Sequence, residues 1–266
     1  MRVWMIAALA LGACDCNDAA PPPAPAPATE AAGDERPSGA PSGEAEHVTF
    51  HTDDDIMIAA TLRRGGSPSA PAVVLVHRLG ADRSEWDPLV ASLSEAPGLT
   101  TLAIDVRGHG QSTAGADGAT LSHGAFDTER WAATSKDVLA ALLVVRGLDP
   151  PPASVGLVGS SIGATAALRA AAEQRVDALV LLSPGRAYRG VDGITPVQQI
   201  GQTELLTVAA EQEPSAVQAA QDLARIAPEG EVEIYAGSAH GMEIAGESPA
   251  MLERVTSFLR AQLTPR

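Results

Sequence analysis

The stretch that most constrains this chain runs from Ser154 to Arg175, SVGLVGSSIGATAALRAAAEQR, where a short apolar run meets a Gly/Ser turn and then a series of strong helix formers. The pattern predicts a strand, a tight turn and a helix. Within it Gly159-Ser160-Ser161-Ile162-Gly163 fits G-x-S-x-G. A serine at the apex of so sharp a turn takes a strained backbone conformation, so the residues two before and two after it must be nearly bare of side chain. Gly159 and Gly163 meet that demand, which makes Ser161 the candidate nucleophile. The turn lifts its hydroxyl clear of the sheet, and the following helix aims free amides and its positive dipole end at any oxyanion formed there. Ser160 fills a position where a small residue suffices and is assigned no chemistry. A phosphate-binding loop is not indicated, because Gly156, Gly159 and Gly163 do not make G-x-G-x-x-G and no Lys-Ser/Thr follows.

With 266 residues and 45% hydrophobic composition, the chain can bury one sizeable core. Its formal charge of −15, from 18 basic and 33 acidic residues, argues against a nucleic-acid partner. Both cysteines, Cys14 and Cys16, precede the region expected to fold, so that region has no disulfide framework, thiol nucleophile or thiolate metal site. The first residues, MRVWMIAALALGAC, place one Arg before an apolar run from Val3 to Leu11 and then small residues, as an export signal does. That run is short for a bilayer span. Leu11-Gly12-Ala13-Cys14 resembles the bacterial lipoprotein cleavage box, which implies cleavage before Cys14, lipidation of that cysteine and membrane association through the anchor. An ordinary secretory signal with an incidental cysteine is the alternative. The expected organisation is a signal and anchor over 1–18, a Pro/Ala/Gly/Ser-rich disordered linker over 19–46 and a catalytic domain over 47–266. The expected location is the cell envelope, facing the periplasm or the surface.

Along the domain, His47 to Leu62 predicts two strands around Thr52-Asp53-Asp54-Asp55, whose aspartates read as a turn rather than a metal site. Ala72 to Val76 predicts a strand covered on both faces, ending in His77-Arg78-Leu79-Gly80. Ser84 to Ala96 predicts a helix capped by Ser84 that turns Trp86, Leu89, Val90 and Leu93 inward. The strand Thr100 to Ile104 runs into Asp105-Val106-Arg107-Gly108-His109-Gly110-Gln111-Ser112. Thr128 to Arg146 predicts one helix, stopped by Gly147 and Pro150. Further strands are expected at Ala178 to Leu182, Glu204 to Ala209 and Glu231 to Tyr235, with helices at Pro214 to Ile226 and Pro249 to Leu263.

An HG-like turn after one strand, D-x-R-G-x-G-x-S after the next and G-x-S-x-G after the third, in this order, resemble the α/β-hydrolase superfamily over about residues 47 to 266. The likeness is greatest to small dienelactone-hydrolase-like and esterase-like members. It implies an α/β fold with a mostly parallel central sheet flanked by helices. The segment from Pro184 to Gln202 is too short for a sizeable cap domain. The resemblance makes the Leu79 and Ile162 amides the oxyanion hole and puts the triad acid in Glu211-Gln212-Glu213-Pro214. Glu213 is the matching position, with Glu211 as the alternative. His240, within Gly237-Ser238-Ala239-His240-Gly241, becomes the general base, and the order Ser161, Glu213, His240 is the one this fold requires.

Two residues depart from the family pattern: Glu where Asp is usual, and Arg78 where glycine is common. Arg78 narrows the cleft, supplies a cation to a substrate or turns to solvent; with Phe126 it is a candidate cleft residue. His77 and His109 read as loop-structuring residues. The implied activity is hydrolysis of a carboxylic ester or related acyl bond in a small molecule, through an acyl-enzyme, without metal or organic cofactor. A noncatalytic binding or scaffold protein on the same fold, and a peptidase or thioesterase with the same machinery, stay open. Neither substrate identity nor oligomeric state is legible at this level.

Overall fold

The computed structural model describes residues 43–264. The expected export signal, Cys14, Cys16 and the linker as far as residue 42 lie outside the described residues. Ten strands follow in chain order: β1 (Glu46–His51), β2 (Met57–Arg63), β3 (Ala72–Val76), β4 (Thr100–Ile104), β5 (Val155–Ser160), β6 (Ala178–Leu182), β7 (Ala187–Tyr188), β8 (Val191–Asp192), β9 (Glu204–Ala210) and β10 (Gly230–Tyr235). Interleaved with them are α1 (Asp87–Ser94), α2 (Thr128–Ala132), α3 (Thr134–Arg146), α4 (Ile162–Glu173), α5 (Pro214–Ile226), α6 (Ile244–Glu247) and α7 (Pro249–Leu263).

Eight strands form one sheet in the order β1-β2-β4-β3-β5-β6-β9-β10. β2 runs antiparallel to both β1 and β4, and every other neighbouring pair is parallel. The central strands are continuous apolar runs because both their faces are covered. In β3, Val74 and Val76 face a layer that includes Leu142 and Val145 of α3 and the alanines of α4, while Val73 and Leu75 face a layer with Leu89 and Leu93 of α1 and Val255 and Leu259 of α7. The alternation of a strand's side chains thus divides one apolar run between two cores. β7 and β8 form a separate small hairpin, and with a 3-10 turn at Thr195–Gln199 they occupy the short segment between β6 and β9.

Two local expectations are corrected. The cap before α1 is Asp82, whose carboxylate accepts from the Ser84 N–H at 2.8 Å, and residues Arg83–Trp86 form a 3-10 turn ahead of the helix. Ser84 is therefore the capped residue rather than the cap. The helix expected over 128 to 146 is two helices broken at Ala133. There the Thr134 hydroxyl donates to Trp131 O at 2.7 Å and the Ser135 hydroxyl to Ala132 O at 3.1 Å, taking carbonyls that an unbroken helix would need. β1 begins one residue before the boundary read from composition.

Candidate active site

Ser161 stands between β5 and α4 at φ 56° and ψ −114°, a left-handed conformation that a residue with a side chain holds only under strain. Its N–H donates to Leu182 O at 2.9 Å and its carbonyl accepts from the Ala164 N–H at 3.0 Å, so the turn is pinned on both sides. The flanking glycines are required by contact. A Cβ on Gly159 would lie 2.3 Å from Gly163 O, and one on Gly163 would lie 2.2 Å from Val76 O. The first turn of α4 leaves amides without helical acceptors beside this serine, and Ile162 supplies the first of them.

The turn after β3 carries the other expected amide. His77 is buried, its Nδ1–H donates to Arg78 O at 2.7 Å, and its Nε2 accepts from the Val106 N–H at 3.1 Å. Both ring nitrogens are occupied and burial pushes its pKa down, so it shapes the turn as a neutral ring. The Leu79 N–H has no acceptor among the described residues. Glu85, nearly buried, braces this turn: it accepts from the Arg78 N–H at 2.8 Å and from the Ser160 hydroxyl at 3.2 Å. The Arg78 guanidinium lies 3.3 Å from Glu85 and 2.5 Å from Glu243, three residues beyond His240. Its charge is thus met by two carboxylates of the protein, an arrangement different from each of the three expected for it.

Each distinctive residue of the D-x-R-G-x-G-x-S loop has a structural task. Asp105 accepts from the N–H groups of Arg83 and Gln111, both at 2.8 Å, and pairs with the Arg83 guanidinium. Arg107 joins Asp54 in the β1–β2 turn to the buried Asp137 of α3. A Cβ on Gly110 would lie 2.2 Å from the Asp105 carboxylate. Ser112 accepts from the Ala59 N–H at 2.8 Å. His109 is buried, edge-on to His77 and stacked on His123 with centroids 4.0 Å apart, which agrees with a loop-structuring role. Among the described residues no three His, Cys, Asp or Glu side chains converge to hold a metal ion.

The loops after β9 and β10 bring Glu213 and His240 together, and His240 Nδ1–H donates to Glu213 Oε1 at 2.5 Å. Glu211, the alternative acid, is exposed. The second oxygen of Glu213 accepts from the Ser183 hydroxyl at 2.7 Å, and Ser183 in turn accepts from the Gly241 N–H at 2.9 Å. The Ser161 hydroxyl and His240 Nε2 each lack a hydrogen-bond partner among the described residues. Ser161, Glu213 and His240 all lie at the C-terminal ends of parallel strands, the edge at which open α/β sheets bind ligands. Ser183, Glu85 and the bracing use of Ser160 escape sequence reasoning, because Ser183 and Glu85 belong to no motif and Ser160 fills a motif position that asks only for a small residue.

An apolar wall stands beside the two amide-bearing residues. The side chains of Leu79 and Ile162 pack with Phe126, Trp131, Tyr188 and Val191. The rings meet edge to face, Phe126 to Trp131 at 5.2 Å and Trp131 to Tyr188 at 5.7 Å. Arg186, near this wall in sequence, is tied to Asp222 of α5. A cavity of about 580 Å³ is lined by Arg78, Glu85, Pro88, Met242, Glu243 and Leu252 among others.

A family model described as alpha/beta hydrolase fold matches residues 71–211, more than half of the chain. Among solved structures, the Pyrococcus furiosus esterase Pf2001 superposes with a TM-score of 0.67 at 18% identity, covering 84% of this chain and 92% of that one. A dienelactone hydrolase from Anabaena variabilis gives 0.66 at 18% identity, covering 84% and 100%. The Xanthomonas campestris protein XC6422, described as an α/β serine hydrolase without lid, gives 0.63 at 18% identity, covering 84% and 97%. Uncharacterized protein Rv2715 of Mycobacterium tuberculosis is 29% identical over 126 residues, 47% of this chain, and the match spans only 32% of that relative's length. With its mostly parallel eight-stranded sheet, its elbow serine and this family match, the chain belongs to the alpha/beta hydrolase fold family.

Proposed function

We propose that the protein is a serine hydrolase that cleaves a carboxylic ester or related acyl bond in a small molecule. One observation carries the reading: Ser161 is held at φ 56° on a strand-to-helix turn, while a hydrogen-bonded His240–Glu213 pair projects from the same edge of the sheet. Since Nδ1 of His240 faces Glu213, Nε2 is the nitrogen left to take the Ser161 proton as Oγ attacks the carbonyl carbon. Glu213 holds the ring in that tautomer and stabilises the imidazolium. The negative oxygen of the tetrahedral intermediate is received by the N–H groups of Leu79 and Ile162. Collapse breaks the bond to the leaving group, which takes the proton from His240, and leaves an acyl-Ser161 ester. A water activated by the same histidine then hydrolyses that ester and restores the serine. The apolar wall of Phe126, Trp131 and Tyr188 suits an uncharged acyl or alkyl portion of the substrate. Arg78, already paired with two carboxylates, is a poor receptor for a substrate anion.

The test is covalent. A fluorophosphonate probe should attach to Ser161 of the purified protein, with the adduct located by mass spectrometry, and His240→Ala should slow the labelling severely. Ser161→Ala should lower ester turnover by on the order of 10⁴-fold or more while the circular dichroism spectrum stays unchanged. Well-folded protein that neither labels nor turns over esters would instead be a binding protein on a hydrolase fold. We further propose that the domain is tethered to a membrane of the cell envelope through lipidated Cys14, on the strength of the Leu11-Gly12-Ala13-Cys14 box.

A further inference from the structure

We infer that Ser183 is a positioning residue that sets both the triad acid and the loop of the general base, an inference that rests on the serine-hydrolase reading above. Ser183 follows β6, outside every motif in the chain, and is buried. Its hydroxyl donates to Glu213 Oε2 at 2.7 Å and accepts from the Gly241 N–H at 2.9 Å. One oxygen atom therefore touches the proposed acid and the residue next to the proposed base.

The backbone shows that the side chain is needed. Ser183 stands at φ 44°, a region where glycine is at ease and a residue with a Cβ is strained. Its N–H is fixed to Val208 O at 2.7 Å, so the segment is held to β9 and the strain is built in. An outlier of this kind is retained where the surrounding structure demands that side chain. The demand is chemically narrow: one atom must donate a hydrogen bond to a carboxylate and accept one from an amide N–H, and a hydroxyl oxygen does both. Threonine would add β-branching to a positive φ, which leaves serine.

The clamp also accounts for a glutamate in a place where the family usually has aspartate. The extra methylene adds a rotatable bond, so the carboxylate has more orientations to lose before it can face the imidazole. Glu213 stands at the N-cap position just before α5, yet its side chain caps no helix amide. Its two oxygens are committed instead to His240 Nδ1 and to Ser183, and two fixed points define the carboxylate plane. A charge-assisted hydrogen bond of this type is among the stronger ones available.

The decisive experiment makes Ser183→Gly and Ser183→Ala, each alone and together with Glu213→Ala. Ser183→Gly removes the hydroxyl while relieving the backbone, so it separates loss of the hydrogen bonds from any backbone strain that Ser183→Ala retains. Two readouts are taken: kcat and KM for p-nitrophenyl acetate, and the His240 Nδ1–H resonance in protein carrying nitrogen-15 histidine. Both Ser183 variants should lose on the order of tenfold or more in kcat with KM little changed, and the loss should be clearly smaller once Glu213 is alanine, because only the Gly241 contact is then left to lose. The resonance should broaden in Ser183→Gly, as in Glu213→Ala. A resonance that neither Ser183 substitution moves, or an equal loss of kcat in both backgrounds, would overturn the inference. If the wild-type protein proves inert toward esters and fluorophosphonate, the hydrolase reading falls, while the resonance still decides whether Ser183 orients the pair.

Discussion

His109 shows how a single buried side chain ties the edge of the sheet that carries the candidate site to solution pH. Burial first, and then the neighbouring His77, push its pKa down from an ordinary 6.5 to about 4. The folded protein therefore keeps this ring neutral at pH values where the unfolded chain takes up a proton. Because the unfolded state binds more protons in that window, stability is full above pH 6.5 and falls as pH drops toward 4. The loss from this residue should be about 2 to 3 kcal/mol, and the buried His77 adds to it with the same sign. His109→Phe keeps a ring against His123 and removes the titration. Urea unfolding at pH 7 and pH 4.5 should show a smaller acid destabilisation in the variant than in wild type, and parallel losses would refute the assignment. At this scale Ser161, Glu213 and His240 stand out as the proposed groups because each sits in a short segment with its own pattern. That Glu213 rather than Glu211 is bonded to His240, and that Glu85 and Glu243 engage Arg78, are contacts across the fold that no short segment indicates.

Elements were legible wherever burial and propensity agree. β3, β4, β6, α5 and α7 occupy the residues that their apolar runs and their Gly/Pro boundaries indicate. The break at Ala133 was hidden, because Thr134 and Ser135 fit a helix as well as they interrupt one, and only the bonds they make decide between the two. The packing of α4 on β3 can be tested at a single glycine. Gly163→Ala would drive a methyl to within 2.2 Å of Val76 O and 2.6 Å of His77 O, both backbone atoms that cannot swing aside. It should destabilise the protein by about 1 to 3 kcal/mol and displace the turn that carries Leu79, so labelling of Ser161 should slow as well. Gly246→Ala, in α6 with open space around the new methyl, should be neutral within about 0.5 kcal/mol by the same denaturation measurement. Equal effects of the two substitutions would show that the α4–β3 contact has slack.

For the molecule as a whole, one sheet edge gathers every proposed catalytic group, because parallel strands all end on that side. The short hairpin of β7 and β8 borders this edge in place of a larger insertion, contributing Tyr188 and Val191 to the apolar wall. Among the described residues no helix is long and apolar enough to cross a membrane; the tether proposed above is Cys14. Several acyl chains at about 0.8 kcal/mol per buried methylene would hold the protein firmly. Expressed with its leader, the protein should partition into the detergent phase of a cloud-point extraction, and Cys14→Ser should move it to the aqueous phase. Retention of the Cys14→Ser protein with membranes would end the lipid-anchor proposal.

By itself the sequence determined the fold class, the order of the principal strands and helices, and the three positions from which the proposed chemistry issues. These are local matters: apolar runs, turn-forming glycines, and a nucleophile whose surroundings lie within five consecutive residues. Tertiary structure alone decided which atoms meet. The Ser183 clamp, the bond from Ser160 to Glu85 and the pairing of Arg107 with Asp54 and Asp137 join residues 30 or more positions apart. Hydrogen bonds of that reach leave no periodic mark on the chain, because direction and distance in space, rather than neighbouring residue types, select their partners.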